Sequence, residues 1–144
     1  MILDFELQVS KGQVVTADAG STDVLDMGTA GMPFTGVAMC FLVSIKTAAD
    51  FTTGDESYSF VVQTDDNSAF SSPTTVTTYT RTAAQLAVNK NIVVPVPVDA
   101  VTEQYLRLYY DVGGTTPSMT IDAILTPVEG LDLYKAYADN SAIQ

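Results

Sequence analysis

Strict alternation over residues 104–125, "QYLRLYYDVGGTTPSMTIDAIL", does most to limit what this chain can become. Leu106, Leu108 and Tyr110 alternate with Tyr105, Arg107 and Tyr109. Beyond a Gly-Gly-Thr-Thr-Pro turn, Met119, Ile121 and Ala123 alternate with Thr120, Asp122 and Ile124. A period of two sends successive side chains to opposite faces, so each run reads as a strand with one face on a core. Two such runs around a turn predict one long antiparallel hairpin. Its core face is expected to be Leu106, Leu108, Met119, Ile121 and Ala123. Tyr105, Arg107 and Tyr109 fall on the outer face, with Arg107 placed to pair across to Asp122.

The same kind of signal recurs along the chain, and no helical period holds over most of it. Short segments rich in Val, Thr, Tyr and Phe are divided by Gly, Pro, Asp and Asn: "LQVS" with "QVVTA", "TDVLDMG", "GVAMCFLVSIK", "SYSFVVQTD", "TTVTTYT", "NIVVPVPV" and the two runs above. About eight strands in 144 residues predict an all-β fold, an antiparallel β-sandwich of jelly-roll-like form. The expected organisation is one sandwich domain over residues 1–130 and a C-terminal arm or short helix over 131–144. "GVAMCFLVSIK" is apolar on both faces and belongs at the centre of a sheet. Tyr58, Phe60 and Val62 share one face of their strand. Pro95 and Pro97 withhold backbone donors, which assigns "VVPVPV" to an edge.

Three apolar segments do not fit the sandwich, and two of them are extended terminal segments. "MILDF" opens the chain, "MGTAGMPFTG" (27–36) is a glycine-rich loop, and "GLDLYKAYADNSAIQ" closes it. In the last, Leu131, Tyr134, Lys135 and Ala138 have helical spacing, whereas Tyr137 and Ile143 lie off that face. Apolar termini imply docking, because undocked termini fray. Met1, Ile2, Leu3, Phe5, Met32, Phe34, Leu133, Tyr134, Tyr137 and Ile143 are the candidate contact residues. Packing within the chain's own domain and contact with a partner both fit them.

Charge and missing residue types narrow the function. Six basic against seventeen acidic residues give a net charge of −11. Phosphate affinity comes mostly from Lys and Arg, so neither nucleic acid nor an anionic membrane is an expected partner. The start of the chain lacks the basic region and cleavage site of a signal peptide, which predicts a protein made in a cytoplasm. There is no histidine, hence no Ser-His-Asp or Cys-His pair. Cys40 is the single cysteine and reads as a small buried thiol in a core strand. The carboxylate pairs Asp55–Glu56, Asp65–Asp66 and Asp23 with Asp26 read mainly as turn chemistry. "TDDNSAF" (64–70) lacks the spacing of an EF-hand. The chain is therefore expected to be no enzyme and to need neither cofactor nor metal. A carbohydrate-binding β-sandwich for host attachment is the alternative reading. Its tyrosines would stack the sugar, and the absence of tryptophan weighs against it.

Four stretches taken in order, "STDVLDMG" (21–28), "TDDNSAFSSPT" (64–74), "YLRLYYDVGGTTPSMTIDAILTP" (105–127) and "LYKAYADN" (133–140), resemble the capsid cement, or decoration, proteins of tailed bacteriophages. The resemblance is looser over 29–57 and 75–103. It implies a jelly-roll-like fold without enzymatic activity. The implied role is structural: binding the outer surface of the capsid and cementing neighbouring major capsid subunits. The partners it implies are the phage major capsid protein and the chain itself, as a homo-oligomer (dimer or trimer). The location it implies is the virion surface, after synthesis in the host bacterial cytoplasm. On that reading the candidate contact residues above are capsid or oligomer contacts.

Overall fold

A computed structural model describes residues 5–28 and 38–129, with the side chains of Phe5 and Val98 left aside. Nine strands follow in chain order: β1 (Gln8–Val15), β2 (Ala19–Gly20), β3 (Leu25–Asp26), β4 (Met39–Thr47), β5 (Ser57–Asp65), β6 (Thr74–Arg81), β7 (Asn91–Val96), β8 (Tyr105–Gly113) and β9 (Met119–Pro127). Short 3-10 turns cover Phe5–Leu7, Ala83–Leu86 and Val98–Ala100. One sheet has the order β1-β9-β4-β7, the other β2-β8-β5-β6, and β3 also pairs with β8. Every pairing is antiparallel. Since β2 and β3 pair with successive parts of β8, they act as one interrupted strand. Eight strands then fall into two four-stranded sheets in jelly-roll order.

The expected 104–125 hairpin does not form. β8 pairs with β5, β2 and β3, whereas β9 pairs with β1 and β4 in the opposite sheet. The Gly-Gly-Thr-Thr-Pro segment is an arch between the two layers. Alternation reports only that one face of each strand meets a core, and an arch satisfies that as fully as a hairpin. Arg107 therefore does not pair with Asp122. Asp122 instead binds Lys46 at 3.4 Å and accepts from Gly12 N at 2.6 Å. That second bond fixes a bulge at Gly12, whose φ of +58° suits glycine and carries "LQVS" and "QVVTA" as one strand.

The core faces were readable. Leu106, Leu108, Met119, Ile121 and Ala123 are buried, as are Tyr58, Phe60 and Val62. Phe60 meets Tyr110 edge-on with ring centroids 6.0 Å apart. Strand β4 lies inside its sheet, between β9 and β7, and Cys40 and Leu42 are buried on its outward side. Pro95 stands in β7, which pairs with β4 alone and is an edge. Pro97 follows that strand.

Candidate interaction surface

Strand directions give the sandwich two distinct ends. At one end lie Gln8, Met39 and Pro127 of the first sheet and Tyr105, Asp65 and Asp26 of the second. The chain enters β1 and β4 and leaves β3 and β9 at this end. Hydrogen bonds secure these junctions. Val128 N donates to Ala38 O at 2.8 Å, and Met27 N donates to Gln104 O at 2.7 Å. Asp26 Oδ1 accepts from Gly28 N at 2.9 Å and Gln104 Nε2 at 3.0 Å. Of the expected contact residues, Phe5 opens a 3-10 turn at this end. Met1, Ile2, Leu3, Met32, Phe34, Leu133, Tyr134, Tyr137 and Ile143 lie outside the described residues, as does the expected 131–144 arm.

The loop at residues 66–73 joins β5 to β6 at the same end. Asp65 directs it, accepting from Asn67 N at 3.0 Å and Ser72 N at 2.9 Å, and these backbone bonds help hold its carboxyl below the ordinary value against the opposing effect of burial. This is the turn chemistry expected of that carboxylate. Phe70 then takes φ +51°, uncommon for so bulky a residue, and is buried. Its ring lies 4.1 Å from the centre of the Arg107 guanidinium. The Tyr109 ring lies 5.1 Å from that centre, and Arg107 Nε donates to Gln63 Oε1 at 2.9 Å. Burial pulls the Arg107 guanidinium below its usual value, while Tyr109 and Asp65 act the other way. Gly20, next to Tyr109 in the ladder, leaves the space this side chain occupies: a Cβ there would sit 2.9 Å from Arg107 Nη1.

Composition alone did not reveal this arrangement. The outward position of Arg107 was legible, but Phe70 was hidden in a segment whose carboxylates read as turn chemistry. The available signal was a lone aromatic ending a run of small polar residues. Tyr109 and Tyr105 are half-buried, Tyr110 is in the core, and Tyr109 already faces a guanidinium.

At the opposite end, the 48–56 and 113–118 loops are tied by threonines to carboxylates. Glu56 accepts from the Thr116 hydroxyl and Gly54 N, Asp55 accepts from the Thr115 hydroxyl, and the single Thr53 hydroxyl proton is shared between the two carboxylates. These bonds, led by that of Thr53, hold both carboxyls below their usual values. Tyr58 adds a bond to Asp50 O at 2.6 Å. Such saturated carboxylates are built to hold loops. Among the described residues no group of three or more His, Cys, Asp or Glu side chains is arranged to hold a metal ion.

A family model described as Bbp16 matches residues 9–125, nearly the whole sandwich, and the chain belongs to that family. A comparison with curated proteins gave no match.

Proposed function

We propose that this member of the Bbp16 family is a structural virion protein that binds the outer surface of a phage capsid and cements neighbouring major capsid subunits. The observation that carries the reading is the convergence of three junctions at one end of a stiff jelly roll. The apolar segments 1–4, 29–37 and 130–144 are all attached there. A clamp needs a rigid body and several attachment points that engage together. Weak contacts made jointly multiply into strong retention, and a stable interface buries roughly 1,600 Å². A net charge of −11 keeps coated particles apart in solution. The resemblance of residues 21–28, 64–74 and 105–127 to phage cement proteins supports the same reading.

The test is made on particles. Purified virions are expected to carry the chain in near-stoichiometric ratio to the major capsid protein, with density over the seams between capsomers. Heads lacking it are expected to break at lower temperature, or sooner in chelator, and added protein should restore them. Heads equally stable without the chain would refute the cementing role.

A further inference from the structure

We propose that Arg107 is a receptor for a carboxylate carried by the partner protein, and that it docks one acidic side chain against the outer face of the β8-containing sheet. Three features hold the guanidinium in place. The Phe70 and Tyr109 ring centres lie 4.1 and 5.1 Å from it, and Gln63 Oε1 accepts a hydrogen bond from Nε at 2.9 Å. Gln63 is itself buried, so the acceptor is fixed. The Nη1 and Nη2 donors have no hydrogen-bond or ion-pair partner among the described residues. Asp65, whose charge favours the guanidinium, spends its oxygens on Asn67 N and Ser72 N.

The chemistry follows from what is left open. With Nε and the ring contacts occupied, the donors left without a partner among the described residues are the paired N–H groups at the end of the fork, which match the two oxygens of a carboxylate. Loss of hydration is already partly incurred in the free protein, because the Arg107 side chain is half-buried against Phe70 and Tyr109. Little side-chain freedom remains to be lost on binding. A chain of charge −11 repels an acidic surface overall, so a single fixed cation selects where an acidic group is accepted and sets the register. Buried Phe70 and half-buried Tyr109 border the guanidinium and would exclude water from the contact.

That the partner is a capsid subunit rests on the proposed cementing function; the carboxylate chemistry does not. Two measurements separate them. In the first, the Nε–H resonances of the free protein are followed during titration with sodium propionate, with sodium chloride at equal ionic strength as the control. The chain has two arginines, and Arg81, stacked on Tyr79 at 3.7 Å, is the internal reference. Arg107 should shift saturably with propionate and Arg81 should not. Equal responses, or no response beyond chloride, overturn the proposal. In the second, wild type and R107K are bound to purified heads lacking the protein. R107K keeps the charge and loses the fork, and should bind about tenfold or more weakly. Binding by R107K as tight as wild type overturns the docking contact while leaving the cementing function standing. Saturable propionate binding by a wild type that ignores heads refutes the cementing function and leaves the receptor intact.

Discussion

The Ser10–Tyr110 contact makes a quantitative prediction about what joins the two sheets. Both residues are fully buried, on β1 of one sheet and β8 of the other, and their oxygens lie 2.7 Å apart. Ser10 has a single hydroxyl proton, and Oγ donates it to Gln13 Oε1 at 2.6 Å. Tyr110 must therefore be the donor across the core. Burial drives its phenol pKa well upward, so the proton is held throughout the working range. Tyr110→Phe removes one neutral hydrogen bond and keeps the ring against Phe60, at a cost of about 1 kcal/mol. Ser10→Ala strands a buried hydroxyl, which costs about 2 kcal/mol. Gln13 Oε1 loses little, because it still accepts from Thr22 N at 3.0 Å and Thr22 Oγ1 at 3.1 Å. In the double variant no polar group is stranded, and the cost should return to about 1 kcal/mol, roughly 2 kcal/mol short of additive. Urea unfolding of the four proteins with a shared slope measures this. Additivity to within about 0.5 kcal/mol, or Tyr110→Phe costing more than Ser10→Ala, would refute the assigned donor.

Three further outcomes are expected. Asp55 and Glu56 sit below their ordinary values of 3.8 and 4.5, so the unfolded chain binds more protons in that range. Their stabilisation is complete above the unfolded values and is lost as pH falls through the folded ones. The thermal midpoint should drop below about pH 5, and Thr53→Val should flatten that drop. Gly114→Ala should cost about 2–4 kcal/mol by urea unfolding, because φ is +98° and the added Cβ would lie 2.6 Å from Asp55 O and Glu56 Cα. Gly113→Ala should be far milder, since its added Cβ meets only the Ser57 hydroxyl, at 2.8 Å. Finally, burial pushes the Cys40 thiol up to about 11, so the native protein should not react with a disulfide reagent at neutral pH and should do so on unfolding.

What could be read from the residues was whatever depends on one strand at a time. The inward set Leu106, Leu108, Met119 and Ile121 follows from period alone, and the edge position of β7 follows from a missing N–H at Pro95. Partner choice is a different kind of fact. It failed at 104–125 because pairing β8 with β5 rather than β9 leaves every inward residue inward. The β5–β8 ladder and the bonds of the arch, such as Thr115 N to Asp55 Oδ1 at 3.1 Å, tell the two apart, and that arch bond joins residues 60 positions apart in sequence. Arg107 was placed on the correct face for the same single-strand reason. Its ring contact with Phe70 depends on a loop folding back over the sheet, for which no periodicity exists.

The convergence at one end is a consequence of topology and not of local sequence. In the order β1-β9-β4-β7, β1 and β4 are both antiparallel to β9, so they run parallel to each other. The entries to β1 and β4 and the exit from β9 must then share one end of the sheet. An N-terminal segment, an insertion before β4 and a C-terminal tail are necessarily neighbours at their roots, however far apart they are in the chain. A jelly roll with apolar additions at those three positions concentrates them without any change to the body. The opposite end, closed by Tyr58, Glu56 and the threonines, keeps its polar groups occupied. On the proposed cementing function, adhesion and rigidity would belong to different ends of one sandwich. Deleting 130–144 should accordingly weaken attachment to heads without lowering the urea midpoint of the sandwich. A truncated chain that unfolds at markedly lower urea would place that segment in the domain's own core and undo this division of labour.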